Sequence, residues 1–159
     1  FRAQHIDRSV TVLRFPPIVG DALYDPFAFY LGRRFAPVIL GYDPLIQLVH
    51  IRDALQAVRA ALSDDLPGDF NVGSRGVLPL SSVLTLAGVR PLYLPLWGTE
   101  LTLKASNALG LTRTPVGLLD FVRYLCVADL SKAESVGLGS EFTIRDALHA
   151  LAEARSGTF

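Results

Sequence analysis

Past a polar stretch from Phe1 to Arg8, which reads as the tail of a helix, the chain enters a mostly apolar, β-branched run, Val10-Thr-Val-Leu-Arg-Phe15, that stops at Pro16-Pro17. A short apolar run without strict alternation reads as a strand buried on both faces. Asp25-Pro26 then sets up a helix, with Asp as N-cap, Pro at the first helical position, Phe27 to Leu31 following and Gly32 near the end. Pro37-Val-Ile-Leu40 is a second strand candidate before the Gly41 to Pro44 turn, and Ile46 to Ile51 is a third. From Arg52 to Leu62 the apolar positions change period. Ala54, Leu55, Val58, Ala61 and Leu62 share one helical face, and Leu66-Pro67-Gly68 ends the helix.

Asp69 to Val72 predicts a short strand leading to a Gly73-Ser-Arg-Gly76 turn. Ser81 caps a helix that Gly88 closes, and Leu92 to Leu94 runs extended between prolines. Helices follow over 100–109 and 115–124, the second capped by Thr114, and Asp129 caps a shorter one ending at Gly137. Thr143-Ile-Arg-Asp146 has the form of a capping box with Asp in the Glu position, and it starts a last helix with Ile144, Ala147, Leu148 and Leu151 inward. Strands alternate with helices through the first half and helices dominate the second, which predicts α/β layers.

The chain has 159 residues, 50% of them apolar and 19% charged, enough for one domain with a sizeable core and far from a disordered composition. Fifteen basic residues balance fifteen acidic ones, with neither sign in surplus on either side of Leu80. A protein that tracks phosphates carries a positive excess, so nucleic acid and anionic membrane surfaces are not expected partners. The single Cys126 rules out an intrachain disulfide and offers no repeated zinc spacing. Phe1 to Arg8 is polar and does not read as a signal peptide, and the most apolar stretch, Gly76 to Gly98, is interrupted by Arg90 and three prolines; the expected compartment is the cytoplasm. The chain contains no Met, from which we expect a piece of a longer protein.

The usual phosphate-cradling motifs are missing. There is no G-x-G-x-x-G and no P-loop, and Gly73-Ser74-Arg75-Gly76 lacks the spacing of a nucleophile elbow. His5, His50 and His149 are too scattered for a metal site. His50 stands out by place: it ends a strand just before the helix that carries Asp53, and strand C-termini are where ligands bind in α/β sheets. A histidine there either touches a ligand or simply satisfies the strand-to-helix turn. Asp64-Asp65 reads as a solvated loop. Arg33-Arg34 reads as a helix C-terminus complementing the dipole, with phosphate binding as the alternative.

Four segments, in order, resemble one family. Val12-Leu-Arg-Phe-Pro-Pro-Ile-Val-Gly20 resembles the "LRxxxxxG" strand and loop of extended short-chain dehydrogenases/reductases, the NAD-dependent epimerase/dehydratase family. Leu48-Val-His-Ile-Arg-Asp53 resembles its "HVxDxAxA" segment, Gly68-Asp-Phe-Asn-Val-Gly73 followed by Leu80-Ser81 its "GxxFNVG" stretch, and Asp129-Leu-Ser-Lys-Ala133 with Gly137 and Thr143 to Leu148 its closing tail. The resemblance implies a single incomplete domain, residues 1–159: the C-terminal portion of a Rossmann-like fold with a mixed α/β substrate-binding region. It also implies that the dinucleotide-binding half, with the catalytic Tyr-x-x-x-Lys pair, lies upstream. Neither Lys104 nor Lys132 has a Tyr four residues before it, and Tyr30 with Arg34 comes after the strand that the family's pair precedes. This chain alone is therefore expected to be inactive, with no catalytic residue of its own.

What the resemblance assigns here is binding. Phe15, Pro16, Pro17, Ile18 and Val19 match the segment beside the nicotinamide of NAD or NADP, and the region from Asp21 through His50 matches the part that covers substrate, with Phe27, Tyr30, Arg33, Arg34 and His50 as its candidates. The implied partners are a small-molecule substrate and the protein's own N-terminal half, with a homodimer left open. Nucleotide-sugar members carry an Asn at the place of Pro17 and an Arg at the place of Ile46. Replacing two phosphate-binding groups by apolar ones predicts a smaller or more apolar alcohol or carbonyl substrate for an NAD(P)-dependent oxidoreductase or epimerase. The alternatives are a nucleotide-sugar epimerase/dehydratase, or a non-catalytic binding or scaffold protein on the same fold. An independent small domain without cofactor is disfavoured by the strand at 10–15, which needs neighbours on both faces.

Overall fold

A computed structural model of the chain describes residues 9–20, 26–95 and 127–156, with single positions 97, 98, 101, 105, 108, 123 and 124 between them. The first expected strand is β1 (Thr11–Arg14), followed across the proline loop by β2 (Ile18–Val19) and helix α1 (Pro26–Leu31). Then come β3 (Phe35–Ile39), β4 (Leu45–Ile46), β5 (Val49–His50), α2 (Ile51–Ser63), β6 (Gly68–Asn71), β7 (Leu78–Pro79), α3 (Leu80–Leu86) and β8 (Arg90–Leu94). The chain closes with α4 (Ser131–Ser135) and α5 (Ile144–Ser156). The helices expected over 100–109 and 115–124, and the Asp25 cap, lie outside the described residues or are covered only at single positions.

The strands form four pairs: β1 with β6, β2 with β5 and β3 with β8, all parallel, and β4 with β7, antiparallel. Parallel pairing of strands with helices between them is the layered α/β arrangement expected. The third expected strand is corrected: 46–51 is not one strand but two short ones, β4 against β7 and β5 against β2. Gln47 interrupts it, buried, with its side-chain carbonyl accepting the Ala128 backbone N–H at 2.9 Å.

Two apolar clusters result. The larger joins α1, β3, α3 and α5, with Leu31, Ile39, Leu80, Leu148 and Leu151 sealed from solvent. The smaller packs Ala57 of α2 and Ala133 of α4 on Phe70 and Val72, with Leu13, Phe15 and Ala60 alongside. The capping box of α5 forms as expected: the Thr143 N–H and Oγ donate to the Asp146 carboxylate (2.8 and 2.7 Å), and the Asp146 N–H donates back to Thr143 Oγ. Ser81 is not the cap of α3. Pro79 holds that place, and Ser81, in the first turn, donates its N–H and hydroxyl to Asp43 across the fold (2.8 and 2.7 Å).

The buried face of α2 also differs from expectation. Asp53, Ala54 and Ala57 are buried, while Leu55, Val58 and Leu62 are exposed. Asp53 wins a buried place because its carboxylate accepts the backbone N–H groups of Glu141 and Phe142 at 3.0 and 3.2 Å, which tie the chain before α5 to the first turn of α2. Strand β1, read as buried on both faces, is only half-buried along Thr11–Leu13 and exposed at Arg14, with β6 on one edge and no strand on the other among the described residues.

Candidate functional site

The C-terminal ends of parallel strands are where α/β sheets bind ligands. At the ends of β1 and β6 the chain is drawn tight. The Val72 N–H donates to the Arg14 carbonyl, the Ser74 N–H to the Leu48 carbonyl and the Val49 N–H to the Pro17 carbonyl. Gly73 sits at the centre: a Cβ there would stand 3.2 Å from Pro16 and 3.5 Å from both Gln47 and Leu130. A side chain there would press on Pro16, which would have to give by a few tenths of an ångström. A Cβ on Gly20 would likewise collide with Ile51, so both ends of the 15–20 loop depend on close approach. Asn71 Nδ2 donates to the Asp129 carbonyl at 3.1 Å. Asp129 in turn accepts the N–H and hydroxyl of Ser131, bonds that hold its carboxyl below the usual carboxylate range.

The expected cofactor loop borders this junction. Pro17 and Val19 are buried, Phe15, Pro16 and Ile18 half-buried, and Val19 pairs with His50 in the parallel register of β2 and β5. His50 is buried beside the loop. Its Nδ1 accepts the Arg52 N–H at 3.2 Å, its backbone N–H donates to Ser74 Oγ at 3.3 Å, and its ring stacks on Phe142 with 4.2 Å between centroids. An accepting Nδ1 leaves Nε2 to carry the proton of the neutral ring. The histidine thus caps α2 from its strand end, the turn-satisfying role weighed for it.

The substrate candidates are not brought together. Phe27 and Tyr30 stack on each other inside the larger cluster, centroids 5.6 Å apart, and Tyr30 donates its hydroxyl to the Pro37 carbonyl. Burial pushes the Tyr30 phenol well above its ordinary range. Arg33 and Arg34 lie over Phe29 and Phe35, at the start of β3.

At the other end of β3 opens a cavity of about 230 Å³, lined by Gly41, Tyr42, Asp43, Ser81, Leu84 and Tyr93. The Asp43–Ser81 bonds stiffen its wall, and the Arg123 guanidinium lies over Tyr42 at 5.8 Å and over Tyr124 at 5.0 Å. Arg123 Nε is buried and has no hydrogen-bond partner among the described residues. Gln47, Tyr42, Asp43 and Arg123 were not singled out by sequence reasoning, and Ser74 was weighed only as a nucleophile. The turn residues Gly41 to Pro44 were the available signal for Asp43. The others depend on partners far along the chain. Among the described residues no three His, Cys, Asp or Glu side chains gather to hold a metal ion, and no helix is long and apolar enough to cross a membrane.

The described residues form a mixed α/β fold that resembles about half the length of Rossmann-like NAD-dependent epimerase structures. The particular likenesses bear this out for the fold. MoeE5, solved with UDP-glucuronic acid and NAD, superposes with a TM-score of 0.66 at 19% identity, over 95% of this chain and 48% of that one. UDP-glucuronic acid 4-epimerase from Bacillus cereus gives 0.69 at 13% identity, over 99% and 49%, and UDP-glucose 4-epimerase from Thermotoga maritima gives 0.65 at 18%, over 98% and 48%. No family model matches the sequence. Uncharacterized proteins of Mycobacterium tuberculosis and Mycobacterium bovis are 32% identical over 122 residues, 75% of this chain and 32% of theirs. The chain spans about a third of the length of these curated relatives and about half of the solved structures it resembles.

Proposed function

We propose that this chain is the substrate-side half of an NAD(P)-dependent epimerase, dehydratase or oxidoreductase whose preceding half carries the dinucleotide site and the Tyr/Lys pair. The observation that carries this reading is the junction at Gly73, where the proline loop, Gln47 and Leu130 close on the C-terminal ends of β1 and β6. Pro16 and Pro17 offer no backbone N–H, so the loop presents a stiff, weakly polar wall suited to one face of a nicotinamide ring. Bound there, the cofactor would supply hydride transfer; the chain's own residues would pack the ring and exclude water from it.

For the substrate, the solved structures of like fold with UDP-sugars support a nucleotide-diphosphate sugar over the smaller apolar compound expected from the sequence. Ile46 is fully buried and Pro17 is buried, so neither place can serve the diphosphate. Arg123, beside the cavity at Tyr42, is the cation in this reading. The second reading, a small alcohol or carbonyl compound, rests on those same two apolar replacements. The test is turnover of the full-length protein with NAD and UDP- or dTDP-sugars, set against small alcohols. Arg123→Gln is expected to raise KM for the nucleotide sugar about 10- to 100-fold, the worth of one lost charge-assisted hydrogen bond. Turnover of small alcohols alone would select the second reading, and no turnover with NAD or NADP would favour a non-catalytic scaffold.

A further inference from the structure

The cavity at the end of β3 holds a carboxylate that is fixed in place and only partly used. Asp43 Oδ1 accepts the Ser81 backbone N–H at 2.8 Å and Oδ2 accepts the Ser81 hydroxyl at 2.7 Å, so one bond to each oxygen sets the plane of the group. An ionised carboxylate has room for about four such bonds. Among the described residues no cation pairs with Asp43 and no further hydrogen bond reaches it. It therefore offers two more acceptor sites, side by side and negatively charged, at the wall of a space of about 230 Å³. Tyr42 and Tyr93 stand around that space, 40% and 55% exposed, over an apolar floor of Val38 and Leu84. Aromatic rings with a free face suit a flat π-system, and the pocket is roomy enough for one.

Its place in the fold says which end of a ligand belongs there. In the nucleotide-sugar reading the sugar meets the nicotinamide at the 15–19 loop, whose strand β2 pairs with β5. The cavity is built instead on the separate β3–β8 pair and on α3, and so takes the end remote from the chemistry, the base. Arg123, over Tyr42, stands beside it for the diphosphate. The bases differ in what they show to a carboxylate. Uracil and thymine present one N–H between two carbonyl oxygens, and both oxygens would face the negative charge. Adenine and cytosine present an amino group next to a ring nitrogen that accepts. Guanine carries two adjacent donors, N1–H and the N2 amino group, at the spacing of two carboxylate oxygens. We propose that the Tyr42–Asp43–Tyr93 cavity is a guanine site, and that the nucleotide sugar is a GDP-sugar. Asp43 determines the specificity: it accepts both guanine donors through charge-assisted bonds and repels bases edged with acceptors, while the tyrosines stack on the ring. This deepens the nucleotide-sugar reading and rests on it. The structures solved with UDP-sugars are 18–19% identical to this chain, so their base does not carry over.

The test is calorimetric titration of the full-length protein with GDP, IDP, UDP and ADP, in saturating NAD so that the dinucleotide site is filled. IDP keeps N1–H and lacks the amino group, so it probes the second bond without altering the protein. GDP is expected to bind about tenfold tighter than IDP and about 100-fold tighter than UDP or ADP. Asp43→Asn keeps one oxygen for Ser81 and replaces the other by an amide donor; it is expected to weaken GDP, to strengthen UDP and to bring the two within about threefold of each other. UDP or ADP binding as tightly as GDP, or IDP equal to GDP, would overturn the guanine assignment, and a GDP preference that survives Asp43→Asn would remove Asp43 from it. Should that variant not fold, the comparison of GDP with IDP on the unaltered protein still decides. Turnover is scored separately. UDP-sugar turnover with UDP the tighter ligand overturns the guanine site and leaves the nucleotide-sugar reading standing. Binding of none of the four overturns both, and guanine selectivity without turnover upholds the site and overturns the enzymatic reading.

Discussion

The two apolar clusters of this molecule are built by different rules. The larger is closed on itself: α1, β3, α3 and α5 meet with their long aliphatic side chains fully covered. Among the described residues the smaller is closed on only one side, with small residues, Ala57 and Ala133, against the β1–β6 pair, and with an apolar flank of α2 and an edge of β1 left open. A pair of parallel strands is seldom a finished sheet, because parallel sheets are stable when helices cover them and strands flank them. The contrast teaches that one cluster is sealed within the described residues, while the other leaves an apolar flank exposed there.

The sharpest way to break that contrast is to remove bulk from each side. Leu148→Ala in the closed cluster is expected to cost about 2–5 kcal/mol, measured by urea unfolding of the 159-residue chain. Leu62→Ala on the open flank is expected to change it by no more than about 0.5 kcal/mol. Equal losses would show that the two clusters are not distinct.

A smaller effect tests the tie between them. Asp53→Ala leaves the Glu141 and Phe142 N–H groups without their acceptor, at about 1–3 kcal/mol for a buried unsatisfied donor. Faster hydrogen exchange at those two amides is the accompanying signature, and Asp53→Asn, which keeps one accepting oxygen, is expected to retain part of the protection. Unchanged exchange at both amides would remove Asp53 from this role.

The smallest effect concerns acid. The Thr143 hydroxyl and backbone N–H hold the exposed Asp146 carboxyl below the usual carboxylate range. A depressed folded pKa stabilises α5 at pH values above the unfolded carboxyl's pKa, and that contribution is lost as pH falls through the lower, folded value. Thr143→Ala is expected to move the Asp146 titration, followed by NMR, back up toward the ordinary range and to shrink the acid-dependent part of the stability. A titration that stays in place would show that the hydroxyl is not the cause.

Much of this fold is legible along the chain because its signals are local. The β-branched run at 10–15, the strand ending at Gly73, the long helix after His50 and the Thr143/Asp146 box each rest on residues a few positions apart, where dihedral preference and capping act. That the proline loop and His50 lie side by side, through the pairing of Val19 with His50, is set by the fold and not by either segment alone. The failures are of another kind. The 46–51 run was apolar enough for one strand, yet Gln47 breaks it to serve Ala128, 81 residues away. Ser81 looked like a cap, yet it answers to Asp43, 38 residues away.

By itself, then, the sequence determined the element types, the neutral and disulfide-free character of the chain and the presence of the loop that ends β1. Only the tertiary structure decided which residues share a site: that Gly73 gathers Pro16, Gln47 and Leu130, that Arg123 lies over Tyr42, and that Asp53 rather than Leu55 is turned inward. The physical reason is that burial has no sign in one dimension. An apolar stripe on a helix records that some surface must cover it, and a carboxylate is buried wherever two backbone N–H groups await it. Which surface, and which N–H groups, is settled by segments that the chain brings together from dozens of residues apart.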